Sequence, residues 1–89
     1  MPIRPTRLTM LIRRLEGDEI AEFGPFKSLH TGPGWIKFRC EEYLAPGPKV
    51  RFQMRHQTKD WRELEYLRTR EIIPPFTYTA RFADRHFEE

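Results

Sequence analysis

The side chains that most often ligate metals or attack carbonyls are few here and badly spaced for either task. His30, His56, His86 and Cys40 are scattered through the 89 residues, with none of the short ligand intervals that a zinc site uses. His56 continues the alternation of Val50, Phe52 and Met54 and reads as a strand-end histidine. Cys40 alternates with Ile36 and Phe38 and reads as a small apolar group, because a reactive thiol needs exposed, electropositive surroundings. Ser28 is the only serine and lies in no nucleophile elbow. Carboxylates come as doublets, Glu41-Glu42 and Glu88-Glu89, without the apolar neighbourhood that would separate an acid from a base. Residues 24–34, GPFKSLHTGPG, are glycine-rich, but Gly34 is followed by Trp35 and not by the lysine and hydroxyl residue that open a P-loop helix. The expectation is a protein with no catalysis, no cofactor, no metal and no small-molecule substrate.

Binding is better represented. Sixteen Lys and Arg, mostly arginine, stand among thirteen Asp and Glu, a net charge of +3. The planar guanidinium serves protein interfaces as readily as phosphates, so the charge does not choose between those partners. Arg51 and Arg55 share one side of an alternating segment, and Trp35, Tyr43 and Trp61 could lie near them. Arginines interleaved with aromatics are how small five-stranded barrels of the OB type bind single-stranded nucleic acid. Phe87 stands among charges near the end of the chain and reads as a docking residue. The candidate partner-binding residues are therefore Trp35, Tyr43, Trp61, Arg51, Arg55 and Phe87.

The elements that must position these residues are strands. Val50, Phe52, Met54 and His56 alternate with Lys49, Arg51, Gln53, Arg55 and Gln57, the period of a strand with one buried face. A three-residue connection of Thr58, Lys59 and Asp60 keeps Met54 and Leu64 on one face. It pairs Phe52 with Tyr66 and Met54 with Leu64 inside, and Arg55 with Glu63, Gln53 with Glu65 and Gln57 with Trp61 outside. Residues 60–72 also admit a helix, since Asp60 and Glu63 form a capping box and Pro74-Pro75 would end it. Residues 7–23 are likewise double. Leu8, Leu11, Ile12 and Leu15 fall at helical spacing, whereas a turn at Gly17-Asp18 would pair Leu15 with Ile20, Arg13 with Glu22 and Ile12 with Phe23. The hairpin is preferred. Residues 35–43, WIKFRCEEY, and 76–82, FTYTARF, alternate as two further strands, and 24–34 read as a loop whose Phe26 and Leu29 plug the core edge.

VRFQMRHQ, a short polar turn and DWRELEYL resemble the hairpin between the third and fourth strands of fibronectin type III and other immunoglobulin-like sandwiches, a form also found in phage virion modules. The likeness centres on residues 49–67 and departs from fibronectin modules in placing Trp35 at the very start of its strand and in lacking a clear tyrosine corner. It implies a mainly β fold, a small antiparallel β-sandwich of about six strands with immunoglobulin-like hairpins. A chain of this length buries about 60 to 65% of its unfolded surface, enough for one core. The expected layout is an arm over 1–6, one domain over 7–82 and a tail over 83–89. A single cysteine, no basic-then-apolar leader and no apolar run of about 18 residues point to a cytoplasmic or virion location and no membrane insertion. The expected function is a non-enzymatic structural or protein-interaction subunit, a decoration, adaptor or tail component of a phage-like particle, with other protein subunits as partners in a homo- or hetero-oligomeric assembly. The alternative is the OB-like protein that binds single-stranded nucleic acid.

Overall fold

Alternation of apolar and polar side chains dominates the chain, and the elements follow it. The computed structural model describes residues 9–56 and 59–83. Among these are six strands and no helix: β1 (Thr9–Glu16), β2 (Glu19–Gly32), β3 (Trp35–Cys40), β4 (Val50–His56), β5 (Arg62–Thr69) and β6 (Phe76–Phe82). All neighbouring strands are antiparallel, in the order β1-β2-β3-β6-β5-β4, with β4 pairing back on β1.

The first hairpin has the expected register. Leu15 pairs with Ile20, Arg13 with Glu22 and Ile12 with Phe23 around a Gly17-Asp18 turn, and Gly17 supplies a φ of 61° that a side chain would resist. The helical alternative for residues 7–16 is excluded over the described part, because β1 is paired along both edges, to β2 and to β4. Residues 62–69 are strand as well, so the helix drawn from the capping box does not form. Local helix propensity loses there to pairing with β6, which buries Leu64 against the core.

The expected sandwich gives way to a closed barrel. One curved sheet contains β2, β1, β4 and β5, the other β2, β3, β6 and β5, so β2 and β5 belong to both and turn the corners. Each corner carries irregularities that add bend and twist. In β2 the register shifts between Met10 and Ile12 of the facing strand and again between Ser28 and His30, and in β5 it shifts between Leu64 and Tyr66. Gly24 sits at the first bend with φ 122°, and a Cβ there would meet the Met10 carbonyl oxygen at 3.0 Å. This corrects the loop reading of residues 24–34: β2 continues to Gly32, Gly24 bends it instead of ending it, and the turn is confined to Pro33 and Gly34.

The central hairpin departs from its predicted register and in part from its predicted faces. Gln53 pairs with Glu63 and Met54 with Arg62, a slide of two residues, and Tyr66, expected inside opposite Phe52, stands on the outer face beside Arg81, beyond the irregularity between Leu64 and Tyr66. The Lys59 N–H donates to the His56 carbonyl at 2.9 Å, a closure different from the Thr58 to Asp60 connection expected. The expected Gln57 to Trp61 pair falls outside the described residues. β4 and β5 pair at those two positions alone among the described residues, then diverge around an opening of about 570 Å³.

Inside, Phe26, Phe38 and Tyr78 stack at centroid separations of 5.1 and 5.6 Å. Phe38 and Ile12 are fully buried, each such side chain contributing about 1.5–3 kcal/mol by leaving water. Phe26 thus plugs the core as expected, whereas Leu29 is exposed. Residues 41–49 cross one end of the barrel and are tied down twice. The Leu44 N–H donates to the Tyr78 hydroxyl at 2.7 Å, and Arg14 Nε donates to the Ala45 carbonyl at 2.8 Å. Burial pushes the Tyr78 hydroxyl pKa up, so it stays protonated while it accepts that bond.

Candidate functional site

The six expected binding residues do not converge. Trp35 begins β3 at one end of the barrel, its indole laid on Gly32 so closely that a Cβ there would fall 2.3 Å from Nε1. Tyr43 is at the other end, beyond a β3 that stops at Cys40, because the Cys40 Sγ bonds back to the Glu42 backbone and turns the chain out of the ladder. Trp35 and Tyr43 therefore do not share a strand face. Tyr43 is 57% exposed and leans on Phe76 at 5.7 Å. Phe87 lies outside the described residues.

Arg51, Arg55 and Trp61 do meet, on the outer face of β1, β4 and the approach to β5, and there they are answered locally. Arg51 Nε and Nη2 donate to the Glu63 carboxylate at 3.0 and 3.2 Å. Gln53 Nε2 donates to the same carboxylate at 3.0 Å and its Oε1 accepts from Arg13 Nε at 2.8 Å. The Arg51 hydrogen bond holds the Glu63 carboxyl below the usual carboxylate range, against the opposing effect of partial burial. Trp61 is half-buried, with the Arg13 guanidinium 4.2 Å and that of Arg55 5.3 Å from its ring centroid. Register made this network: Arg13, Gln53 and Glu63 occupy one cross-strand row. Glu63 pairs with Arg51 and not with Arg55 as expected, a direct result of the two-residue slide.

Two surfaces escaped the sequence reading. The first is the connection between β5 and β6, residues 70–75, where Ile72 is 90% and Ile73 70% exposed. Ile72 and Phe76 share with Tyr43 a notch of about 450 Å³. The legible signal was two isoleucines directly before Pro74-Pro75, because a proline pair cannot continue a ladder and leaves the preceding residues in a turn.

The second is the outer face of β3, β6 and β5. Ile36, Phe38 and Cys40 of β3 and Phe76, Tyr78 and Ala80 of β6 point inward, so their neighbours point out. Across the ladders these form rows: Trp35, Arg81 and Tyr66; Lys37, Thr79 and Arg68; and Arg39 beside Thr77. A shallow cleft of about 660 Å³ is lined by Lys37, Arg68, Arg70, Thr77 and Thr79 together with Tyr66, Thr69 and Glu71. Outward alternation in WIKFRC and YLRTR carried part of this signal, but which cation neighbours which depends on β6 lying between β3 and β5.

Catalytic chemistry has little to work with. Cys40 is buried and burial pushes its thiol pKa up, the reverse of an activated nucleophile. Among the described residues no three of His, Cys, Asp and Glu gather to hold a metal ion. No protein-family model, curated protein or solved structure matches this chain.

Proposed function

We propose that this barrel is a non-enzymatic interaction subunit that works by seating its β5 to β6 tip on another protein subunit. The observation that carries the reading is the pair Ile72 and Ile73, 90 and 70% exposed, beside the 57% exposed Tyr43. A small barrel with a thin core has every reason to keep such side chains inward. A contiguous apolar projection of this kind is the usual mark of a docking surface. Tyr43 supplies an amphipathic ring of the type enriched at interfaces, and Ile72 and Phe76 complete a notch beside it. The decoration, adaptor or tail component suggested by the immunoglobulin-like resemblance is one form of such a subunit.

The test is a paired measurement on the full chain. Light scattering after size exclusion gives the solution mass, and affinity capture from the native source gives the retained proteins. Both are repeated on a chain carrying Ile72→Asp and Ile73→Asp. Loss of an oligomer, or of a reproducibly retained subunit, in the double variant supports the reading. A monomer that retains the same proteins with and without the two substitutions overturns it.

A further inference from the structure

We infer that the outer face of β3, β6 and β5 is a binding track for the phosphodiester backbone of a single-stranded nucleic acid. The inference is independent of the docking tip.

Lys37, Thr79 and Arg68 stand in one cross-strand row, placing a hydroxyl between two cations about 4.8 Å to either side. That grouping matches the needs of a phosphate, which takes charge from the flanks and a hydrogen bond at the centre. Arg70 and Thr77 repeat the pairing of cation and hydroxyl in the same cleft. Among the described residues Lys37, Arg39, Arg68 and Arg70 make no ion pair. The carboxylates that border the face are Glu41, Glu42, Glu65 and Glu71. Glu71 is already engaged, its Oε1 accepting from the Thr77 N–H and its own N–H donating to Thr69 Oγ1. Glu65 adds to the charge around Arg81 at the far end of the face.

A polymer fits better than a single anion because the cations run on past the cleft. Along the β3 and β6 direction Arg39 lies on one side of the central row and Arg81 on the other, each one strand repeat away, or about 6.7 Å. At the Arg81 end the track meets Trp35 and Tyr66, both half-buried. Tyr66 is held between Arg68, 4.1 Å from its ring centroid, and Arg81, whose Nε donates to its hydroxyl at 3.5 Å. Aromatics at the edge of a basic sheet face are what unpaired bases stack on. Among the described residues this face offers no helix or projecting ribbon to enter a duplex groove, which favours a single strand. The register decides which of the molecule's arginines can serve: on β4 Arg51 is bound to Glu63 and Arg55 lies over Trp61, whereas Arg68 of β5 stands in a row with Thr79 and Lys37.

Fluorescence anisotropy with labelled single-stranded DNA and RNA of about 16 nucleotides tests this, titrated between about 50 and 200 mM salt. Binding should be tightest at low salt, and each phosphate contact should add about 0.7 to the slope of log K against log salt. Lys37→Glu with Arg68→Glu should weaken binding at least tenfold, and the neutral Lys37→Gln with Arg68→Gln should lower the slope by about 1.4. Arg51→Ala with Arg55→Ala should leave affinity within about threefold, since those donors are already used. Thermal melts establish that each variant is folded. No binding at about 50 mM salt overturns the inference. So does an equal loss in the β4 variant, and so does binding to vesicles of acidic phospholipid without binding to either oligonucleotide.

Discussion

On the outer face of β1, β4 and the start of β5, the arginines find their partners within the fold: Arg51 on Glu63, Arg13 on Gln53 and Trp61, Arg55 on Trp61. On the outer face of β3, β6 and the rest of β5, Lys37, Arg39 and Arg70 have no such partner among the described residues. The two faces share an arginine-rich composition and differ in what stands opposite each cation. A row of Arg13, Gln53 and Glu63 closes on itself, while in the row of Lys37, Thr79 and Arg68 no carboxylate answers the two cations, Arg68 lying over the Tyr66 ring. A basic stripe thus gains meaning only from its neighbours across the ladder. The first face is bonded across the seam where, among the described residues, β4 and β5 pair at two positions, and the second carries the proposed track.

The contrast can be broken most severely where the two faces share a support. Tyr78 lies beneath the cationic face and holds, through Leu44, the segment that leads into β4. Tyr78→Phe leaves the buried Leu44 N–H without its acceptor and should destabilise by about 1–3 kcal/mol, read from urea unfolding followed by tryptophan emission. An unchanged midpoint would mean that the crossing segment contributes nothing to the fold. A smaller loss is expected from Arg13→Ala, which removes the bond to Gln53 and the cation over Trp61. About 1 kcal/mol is expected, with a red shift of the tryptophan emission and no change in the salt slope of oligonucleotide binding. A shift in that slope would show that the first face also contacts the ligand.

The smallest effect is a pH dependence. The Glu63 carboxyl is held below its ordinary value chiefly by Arg51, so it contributes stability above the unfolded carboxylate pKa near 4.3. That contribution fades as the pH falls through the lower folded value. Glu63→Gln should be slightly less stable than the parent at neutral pH, and the gap should close under acid, as thermal melts from pH 7 to pH 2 would register. A gap that persists at low pH would assign the role of Glu63 to packing. Replacing Lys37 or Arg39 should produce no comparable gap, since neither makes an ion pair among the described residues.

Strand periodicity was legible in the sequence wherever one side of the chain is buried and the other wet. The first hairpin could be read pair by pair because Gly17-Asp18 admits one turn length and each resulting pair is chemically favourable. The inward set of β3, β4 and β6 followed from alternation alone. The central hairpin was harder, because a slide by two residues keeps the alternation intact and the pattern cannot detect it, and the irregularity after Leu64 then turned Tyr66 from its expected inner face to the outer one. The slide moved Glu63 from Arg55 to Arg51 and with it the assignment of the charged network. Gly24 misled for a related reason: glycine marks both a chain reversal and a bend within a strand, and local sequence does not separate them.

Taken alone, the sequence determined that the chain is built of strands and which side chains of most strands face inward. Those are properties of period and residue type, and both are local. The tertiary structure decided that the strands close into a barrel, because β2 and β5 bend through irregular ladder positions to serve both sheets. It also decided which cations stand answered and which unanswered. Strands distant in the chain, β3 and β5, became neighbours across β6, and no short-range pattern encodes that adjacency.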